Sequence, residues 1–485
     1  MTLDLVVLGG GITGLGIARL AARQGWSVAL FERDDLASGA SSASSHMLHG
    51  GVRYLEHGQF ALVREALSER TAVARMAPAL ARPVRFLVPL LRGGRVPGWK
   101  LRAGLTLYDV LAGRERLSGH TMARAPEALA LEPGLASDGL TGAGLYSDMV
   151  MDDARLAIAV ARDAHAHGAT IRTRCELQAV RPASEPRGAL ELTVRDREAR
   201  AEERLTARVV VNATGAWSDR TRRDLLRSLW PGRPDPPPRL RPSRGIHLVY
   251  PALTRGHGVL LTAASDGRAF FVVPFAGRSL VGTTEVATQS PPADAEWAPT
   301  IEEIRYLAAE VARVLPAAAH VAPLAVCAGV RPLLDAGADV GRASREHRVI
   351  EDGALLTIAG GKYTTFRVMA RDVIAAAARQ LERDPARVAD SVAPLPPPVA
   401  ADVDANALGA HAVEHEFART LADVLRRRST HWLDDHHGLA VAPAIAGALA
   451  RRLGWSPERE RDELDQWRLH VRDEQALLAR ALVVH

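Results

Sequence analysis

At 485 residues the chain is too long for one small domain, and its 47% hydrophobic content supplies a large core, which excludes global disorder. A net charge of +5 with an isoelectric point of about 9.6 fits a mildly basic surface suited to anionic metabolites or lipid headgroups; it is too weak for a nucleic-acid partner. Two cysteines, Cys175 and Cys327, stand far apart without CxxC or metal spacing, so both are expected in the core of a protein from a reducing compartment.

In chain order, "LDLVVL" (3–8) reads as a buried strand and leaves no room for a signal peptide, since Asp4 interrupts it. "GGGITG" follows, then the apolar helical pattern "GLGIARLAARQG" and a second strand, "WSVALFE" (26–32), ending in Glu32. This βαβ unit spans about thirty residues. Residues 61–82 and "DDARLAIAVARDAHAHGA" (152–169) carry helical spacing, the latter with Asp152 and Asp153 at its positive end. "TIRTRCELQAVRP" reads as strands, and "RVVVNATGAWSD" (208–219) as a buried strand entering a glycine turn.

From about 240 onward short strands predominate, including "GIHLVYPAL", "GVLLTAA" and "LAVCAGVRPLL", so a mostly antiparallel sheet is expected. A helix interrupts at 300–316, opened by a Thr300/Glu303 capping box. After "IAGGKYTTF" (358–366) another helix runs to about 382; "VAPLPPPVA" (392–400) reads as a linker, and the remainder has no strand signals. The longest apolar stretch, 439–450, is too short to span a bilayer, so the protein is expected to be soluble or peripheral.

Gly9, Gly11 and Gly14 form a G-x-G-x-x-G turn between strand and helix, and Glu32 stands where a carboxylate accepts from a ribose hydroxyl. Together they point to a dinucleotide whose pyrophosphate rests on a helix N-terminus. The distant double glycine of "IAGGKYTTF" aims a second helix start at a ligand. A flavin ring gains negative charge on reduction, so two such turns favour FAD over NAD.

The stretches "GGGITGLGIARLAARQGWSVALFE", "GASSASSHMLHGGVRYLEHG", "MDDARL", "VVNATGAWSD", "GTTEV", "AGVRPLL" and "GGKYTTFR" stand in the order seen in FAD-dependent glycerol-3-phosphate dehydrogenases. The chain resembles that family, within the D-amino-acid-oxidase-like flavoproteins, along nearly its whole length. The resemblance implies an α/β (α+β) fold: a Rossmann-like FAD-binding domain, an antiparallel-sheet substrate domain and a C-terminal helical domain. The implied division interleaves the first two within 1–390, FAD-binding mainly at 1–75, 150–220 and 350–385, substrate mainly at 80–145 and 240–345. A Pro-rich linker (391–404) and the helical domain (405–485) follow.

The resemblance also implies oxidation of sn-glycerol 3-phosphate to dihydroxyacetone phosphate, with hydride passing from C2 to flavin N5 and electrons to a quinone. Its substrate residues correspond to Arg53, Tyr54, Arg345, Lys362 and Thr364, and its catalytic residues to His247 and Arg331. Its non-covalent FAD contacts correspond to Gly9, Gly11, Ile12, Thr13, Gly14, Glu32, Arg33, Ser41, Ser42, Ser45, His46, Leu48, His49, Gly50, Gly51, Val180, Gly215, Trp217, Gly361, Lys362 and Thr364. No metal is expected: His46 and His49 lack a third ligand nearby, and His46 stands where the family usually carries lysine.

The residues themselves add weight unevenly. Arg331 lies in an apolar strand and Lys362 at a helix start, both poor structural choices for a cation. His247 is the better proton acceptor by pKa, with a satisfied core histidine as the alternative. Oxygen as acceptor, or an amino or hydroxy acid as substrate, are the competing readings. The implied location is cytoplasmic, with any membrane contact peripheral at the inner face. The basic clusters at 426–428 and 451–452 are one place for that contact, with a solvated helix face as the alternative, and a homodimer is an open option.

Overall fold

The expected βαβ unit forms in the computed structural model, which describes residues 2–185, 188–288, 298–335, 346–385, 392–400 and 402–482. Strand Thr2–Leu8, helix Ile12–Arg23 and strand Val28–Phe31 begin it. Leu5, Val6 and Val7 are fully buried, as a continuous apolar strand covered on both faces must be. The first sheet runs His347–Asp352, Leu355–Gly360, Glu202–Asn212, Thr2–Leu8, Val28–Phe31, Thr170–Arg172, and all but the first of these pair in parallel. The hairpin Cys175–Pro182 and Leu190–Asp196 extends it antiparallel.

Helices Ile12–Arg23, Asp153–Ala166 and Phe366–Gln380 cover one face of this sheet through Leu15, Leu156, Val160, Val373 and Ile374. Helix Ser218–Leu229 covers the other through Leu225 and Leu229. Every parallel strand therefore delivers its C-terminal end to the same edge, where the glycine turns lie.

The second sheet is antiparallel except for one short pairing of Gly258 and Val259 with Phe86 and Leu87. Towards one end of it, Ser243–Pro251 is flanked by Arg278–Gly282 on one side and Ala325–Arg331 on the other. Helix Ile301–Val314 lies on one face, and it opens with the anticipated box: Thr300 Oγ1 accepts from the Glu303 N–H, and the Glu303 carboxylate accepts from the Thr300 N–H. The C-terminal helices pack Leu421, Leu425, Ile445, Leu449 and Trp467 onto the opposite face against Phe86, Val249, Val273 and Cys327.

Three local expectations are revised. The helix expected over 61–82 is Phe60–Met76, and a long strand, Ala81–Leu91, begins where it was to end. The segment read as a linker is laid on the body: Leu395 is buried and its N–H donates to Met76 O at 2.7 Å, while Arg162 donates to Pro397 O at 2.6 Å. The arginines of 426–428 point inward, so they form no membrane-facing patch. Arg428 is fully buried and bonded to Asp35, Arg427 bridges Asp35 and Asp423, and Arg426 meets His470.

Candidate active site

The turn after the first strand is built for close approach. Gly9 has φ +107°, and a Cβ on Gly14 would stand 2.0 Å from the Gly9 carbonyl oxygen, so no side chain fits. Gly11 caps the helix without a side chain, and the Ile12 N–H donates to Ser41 Oγ at 3.0 Å. Glu32 closes the turn from the next strand: its carboxylate accepts from the Gly10 N–H at 2.6 Å and the Asp34 N–H at 2.8 Å. Burial pushes the Glu32 carboxyl upward. Arg33 is half-buried and contacts the Asp34 carboxylate, and Thr13 is half-buried in the first helical turn.

The segment 39–51 then crosses from this turn to the second sheet, where Met47–Leu48 pairs with Val150 and Met149. Ser41 is buried and Ser42 half-buried in its first turn. Ser44 bonds the Asp153 carboxylate through both N–H (3.1 Å) and Oγ (2.6 Å), and Ser45 Oγ lies 2.8 Å from His247 Nε2. His46 is buried at φ +52°, 3.5 Å from Asp153 Oδ1 and stacked 4.2 Å from the Phe275 ring. His49 stands edge-on to Phe271. The Gly50 N–H donates to Tyr108 OH at 2.9 Å, and a Cβ there would lie 2.6 Å from that oxygen. Gly51, at φ +80°, lets the Tyr54 ring fold back against the backbone.

His247 and Arg331 lie on adjacent strands, His247 opposite Cys327 and Arg331 opposite Ser243, and Arg331 Nη2 lies over Gly245. Arg331 Nη2 donates to Thr283 Oγ1 at 2.6 Å and Thr284 O at 3.2 Å, which aims the guanidinium. Burial, the Arg331 charge and His46 push the His247 pKa down to about 3, so its ring is neutral. Lys362 Nζ rests 3.8 Å above the Tyr54 ring centre. Thr364 is buried beside it in the turn Tyr363–Thr365, whose Tyr363 OH donates to Asp153 O at 2.5 Å. Gly361 has φ +94° before Lys362.

Other anticipated residues are dispersed. Arg53 is exposed, and Arg345 lies outside the described residues. Gly215 and Trp217 form the turn after Glu202–Asn212, with the Trp217 ring 3.6 Å from where a Gly39 Cβ would be. Val180 is buried in the strand Cys175–Pro182 of the first sheet, and its carbonyl accepts from Ser228 Oγ at 2.6 Å.

The cradle fits a dinucleotide. Its N-cap residue, Gly11, has no side chain to cap the helix, its glycines let a ligand approach the backbone, and His247 Nδ1 and His46 Nε2 are buried without a hydrogen-bond partner among the described residues. Among the described residues no three His, Cys, Asp or Glu side chains converge as metal ligands.

Several residues that build the site were not among the expected site residues. Asp153 ties Ser44, His46 and Tyr363 together from the start of one helix. Tyr108, Asp148 and Arg70 form a buried chain behind Gly50, with bonds of 2.7 and 2.9 Å. Asp153 stands in "MDDARL", and Asp148 had a signal of its own: a carboxylate inside the apolar run "LYSDMVM" needs a partner.

Residues 4–367 match the family described as FAD dependent oxidoreductase, and residues 368–460 match the C-terminal domain of alpha-glycerophosphate oxidase. Glycerol-3-phosphate dehydrogenase 2 of Mycobacterium tuberculosis is 40% identical over 403 residues, covering 80% of this chain and 65% of that protein. The mitochondrial glycerol-3-phosphate dehydrogenase of Mus musculus is 35% identical over 398 residues, 78% of this chain and 53% of the relative. The chain thus spans under two thirds of the length of these curated relatives. The glycerol-3-phosphate dehydrogenase of Bacillus halodurans, solved with FAD, shares the fold at TM-score 0.73 and 23% identity over 100% of this chain and 96% of that one.

Proposed function

Because the chain belongs to the FAD-dependent oxidoreductase family, we propose that it oxidises sn-glycerol 3-phosphate to dihydroxyacetone phosphate and passes the electrons to a quinone. The observation that carries the reading is Arg331, on the strand next to that of the buried His247, with its guanidinium aimed by Thr283 and Thr284. A secondary alcohol losing hydride needs an acceptor for its hydroxyl proton and a cation for the developing alkoxide.

The bound cofactor supplies the hydride acceptor. Gly9, Gly11, Gly14 and Ser41 would hold its pyrophosphate, Glu32 its ribose, and the turn at Gly361–Thr365 its ring edge. His247 takes the C2 hydroxyl proton, and Arg331 and Lys362 hold oxyanions of the substrate, joined by Arg53, Tyr54, Arg345 and Thr364. The cofactor is held without a covalent bond, and denaturation releases all the yellow colour. A phosphate draws on more cationic side chains than a single carboxylate needs, and Arg331 and Lys362 are two such cations, on the second sheet and in the Gly361–Thr365 turn.

Peripheral membrane contact fits the helix Gly98–Ala112, where Trp99 is 75% and Val110 68% exposed on one face beside Arg102. No helix among the described residues is long and apolar enough to cross a membrane. Anaerobic mixing with glycerol 3-phosphate should bleach the flavin, and glycine or lactate should not. Arg331→Leu should lower kcat/KM about a hundredfold or more. A flavin that stays oxidised with glycerol 3-phosphate rejects the substrate; faster turnover with oxygen than with a quinone analogue rejects the acceptor.

A further inference from the structure

The loop behind the nucleotide turn is held from the far end of the chain. Residues 33–38 follow the strand Val28–Phe31 and close over Gly10. Glu32 Oε2 accepts from the Gly10 N–H at 2.6 Å, and its Oε1 accepts from the Asp34 N–H at 2.8 Å. The Ala37 N–H donates to Gly10 O at 2.9 Å, and the Leu36 side chain lies 2.9 Å from where a Gly10 Cβ would stand. Both polar groups of the Gly10 backbone are thus bonded to this strand end and loop. Ala37 makes its bond at φ +60°, a conformation that alanine keeps only where its surroundings fix it.

The anchor stands between these contacts. Asp35 is buried, and its carboxylate accepts from Arg427 Nε at 2.5 Å, from Arg428 Nη2 at 2.8 Å and from Arg428 Nη1. The two arginines are 392 and 393 positions away, in the C-terminal helical domain. Neither can follow a moving loop. Arg427 is bonded to Asp423, and Arg428 Nη2 donates to Glu416 O at 2.6 Å. Arg155, on the helix Asp153–Ala166, donates to Arg428 O and to both oxygens of the Glu416 carboxylate. A loop that let go would leave buried charges unpaired on both sides, which is costly.

We propose that Asp35 and Arg428 are positioning residues for the cofactor. The C-terminal helices hold the loop 33–38, the loop holds Glu32 and Gly10 in place, and the affinity for FAD depends on that grip. The role rests on reading the Gly9–Gly14 turn and Glu32 as the nucleotide cradle; it is independent of the substrate and of the electron acceptor.

Asp35→Asn is compared with Glu416→Gln, which weakens another buried pair between the helical domain and the nucleotide-binding body but leaves Asp35 both its arginines. Holoenzyme is dialysed to equilibrium against graded FAD, and a urea midpoint is measured on each variant. Both should have a lower midpoint, since each loses half of a buried ion pair. The Kd for FAD should rise about tenfold or more in Asp35→Asn and stay within about twofold in Glu416→Gln, while the rate of flavin reduction per bound flavin is unchanged in both. An unaltered Kd in Asp35→Asn overturns the proposal, and so does an equal rise in the two variants, which would make the loss one of general stability. If Asp35→Asn does not fold, Arg428→Lys is read in the same way, because it keeps the charge but loses the fork that spans both carboxylate oxygens. A Glu32→Ala variant with wild-type FAD affinity would reject the underlying cradle reading instead.

Discussion

Gly282 lacks a side chain because His247 occupies its place, with the ring's Cδ2 2.3 Å from the position of a Cβ. Gly282→Ala should therefore displace the imidazole rather than the cofactor. Misplacing a reacting group by about 1 Å costs up to about a hundredfold in rate, so kcat should fall roughly ten- to hundredfold with flavin content retained. Stopped-flow reduction alongside a visible spectrum checks it. At this scale the legible residues were those whose partners are near in sequence. The Gly9–Gly14 turn and Glu32 belong to one thirty-residue unit, so spacing alone carries their chemistry. Ser45 and His247 are 202 positions apart, and Asp153 meets Ser44 across 109, so no local pattern announces either pair. Gly50 shows how a motif can be seen and its cause missed: the tightest constraint on it comes from Tyr108 OH and Leu67.

Among the elements, helix Ile301–Val314 was legible because its signal is local. Thr300→Ala should cost about 1 kcal/mol, read as a lower urea midpoint with unchanged slope. Strand Ala81–Leu91 was not legible, because Pro83 and Pro89 argue against a strand inside a sheet. It tolerates them because it pairs at length only with Leu140–Met151, its other side meeting Gly258–Thr262 at two positions. The C-terminal helices dock through charge as well as apolar packing. Asp423, buried between Arg174 and Arg427, has its carboxyl held far below the usual range; burial opposes the shift and the arginines outweigh it. A folded pKa below the unfolded value stabilises fully above roughly pH 4 and less as pH falls toward the folded value. Thermal melts of wild type and Asp423→Asn should thus differ most at neutral pH and converge on acidification.

At the scale of the molecule the two sheets share one chain that crosses between them repeatedly. The first sheet takes 2–31, then 170–212 and 347–360; the second takes 47–48, 81–151 and 243–331. Composition showed two textures and a helical tail, which is why the fold class was legible, while the packing of the tail over the second sheet was not, since helix faces do not name their partners. An interleaved body should unfold as one unit. Adding FAD to flavin-stripped protein should raise a single thermal transition, by about 2.7 kcal/mol of stabilisation at a hundredfold excess over Kd. Two transitions, only one of them moved by FAD, would contradict this.

The buried contact between Asp35 and Arg428 spans 393 positions, and Arg428 Nη2 reaches Asp35 Oδ1 at 2.8 Å. During synthesis Asp35 emerges early, just behind the nucleotide turn, while its counter-charge is still unmade. At about 5–20 residues per second the ribosome needs roughly 20 to 80 s to supply it. The nucleotide-binding half must wait that long with a carboxylate in water that it will later bury. The buried ion pair just behind the nucleotide turn closes only after the C-terminal helices arrive.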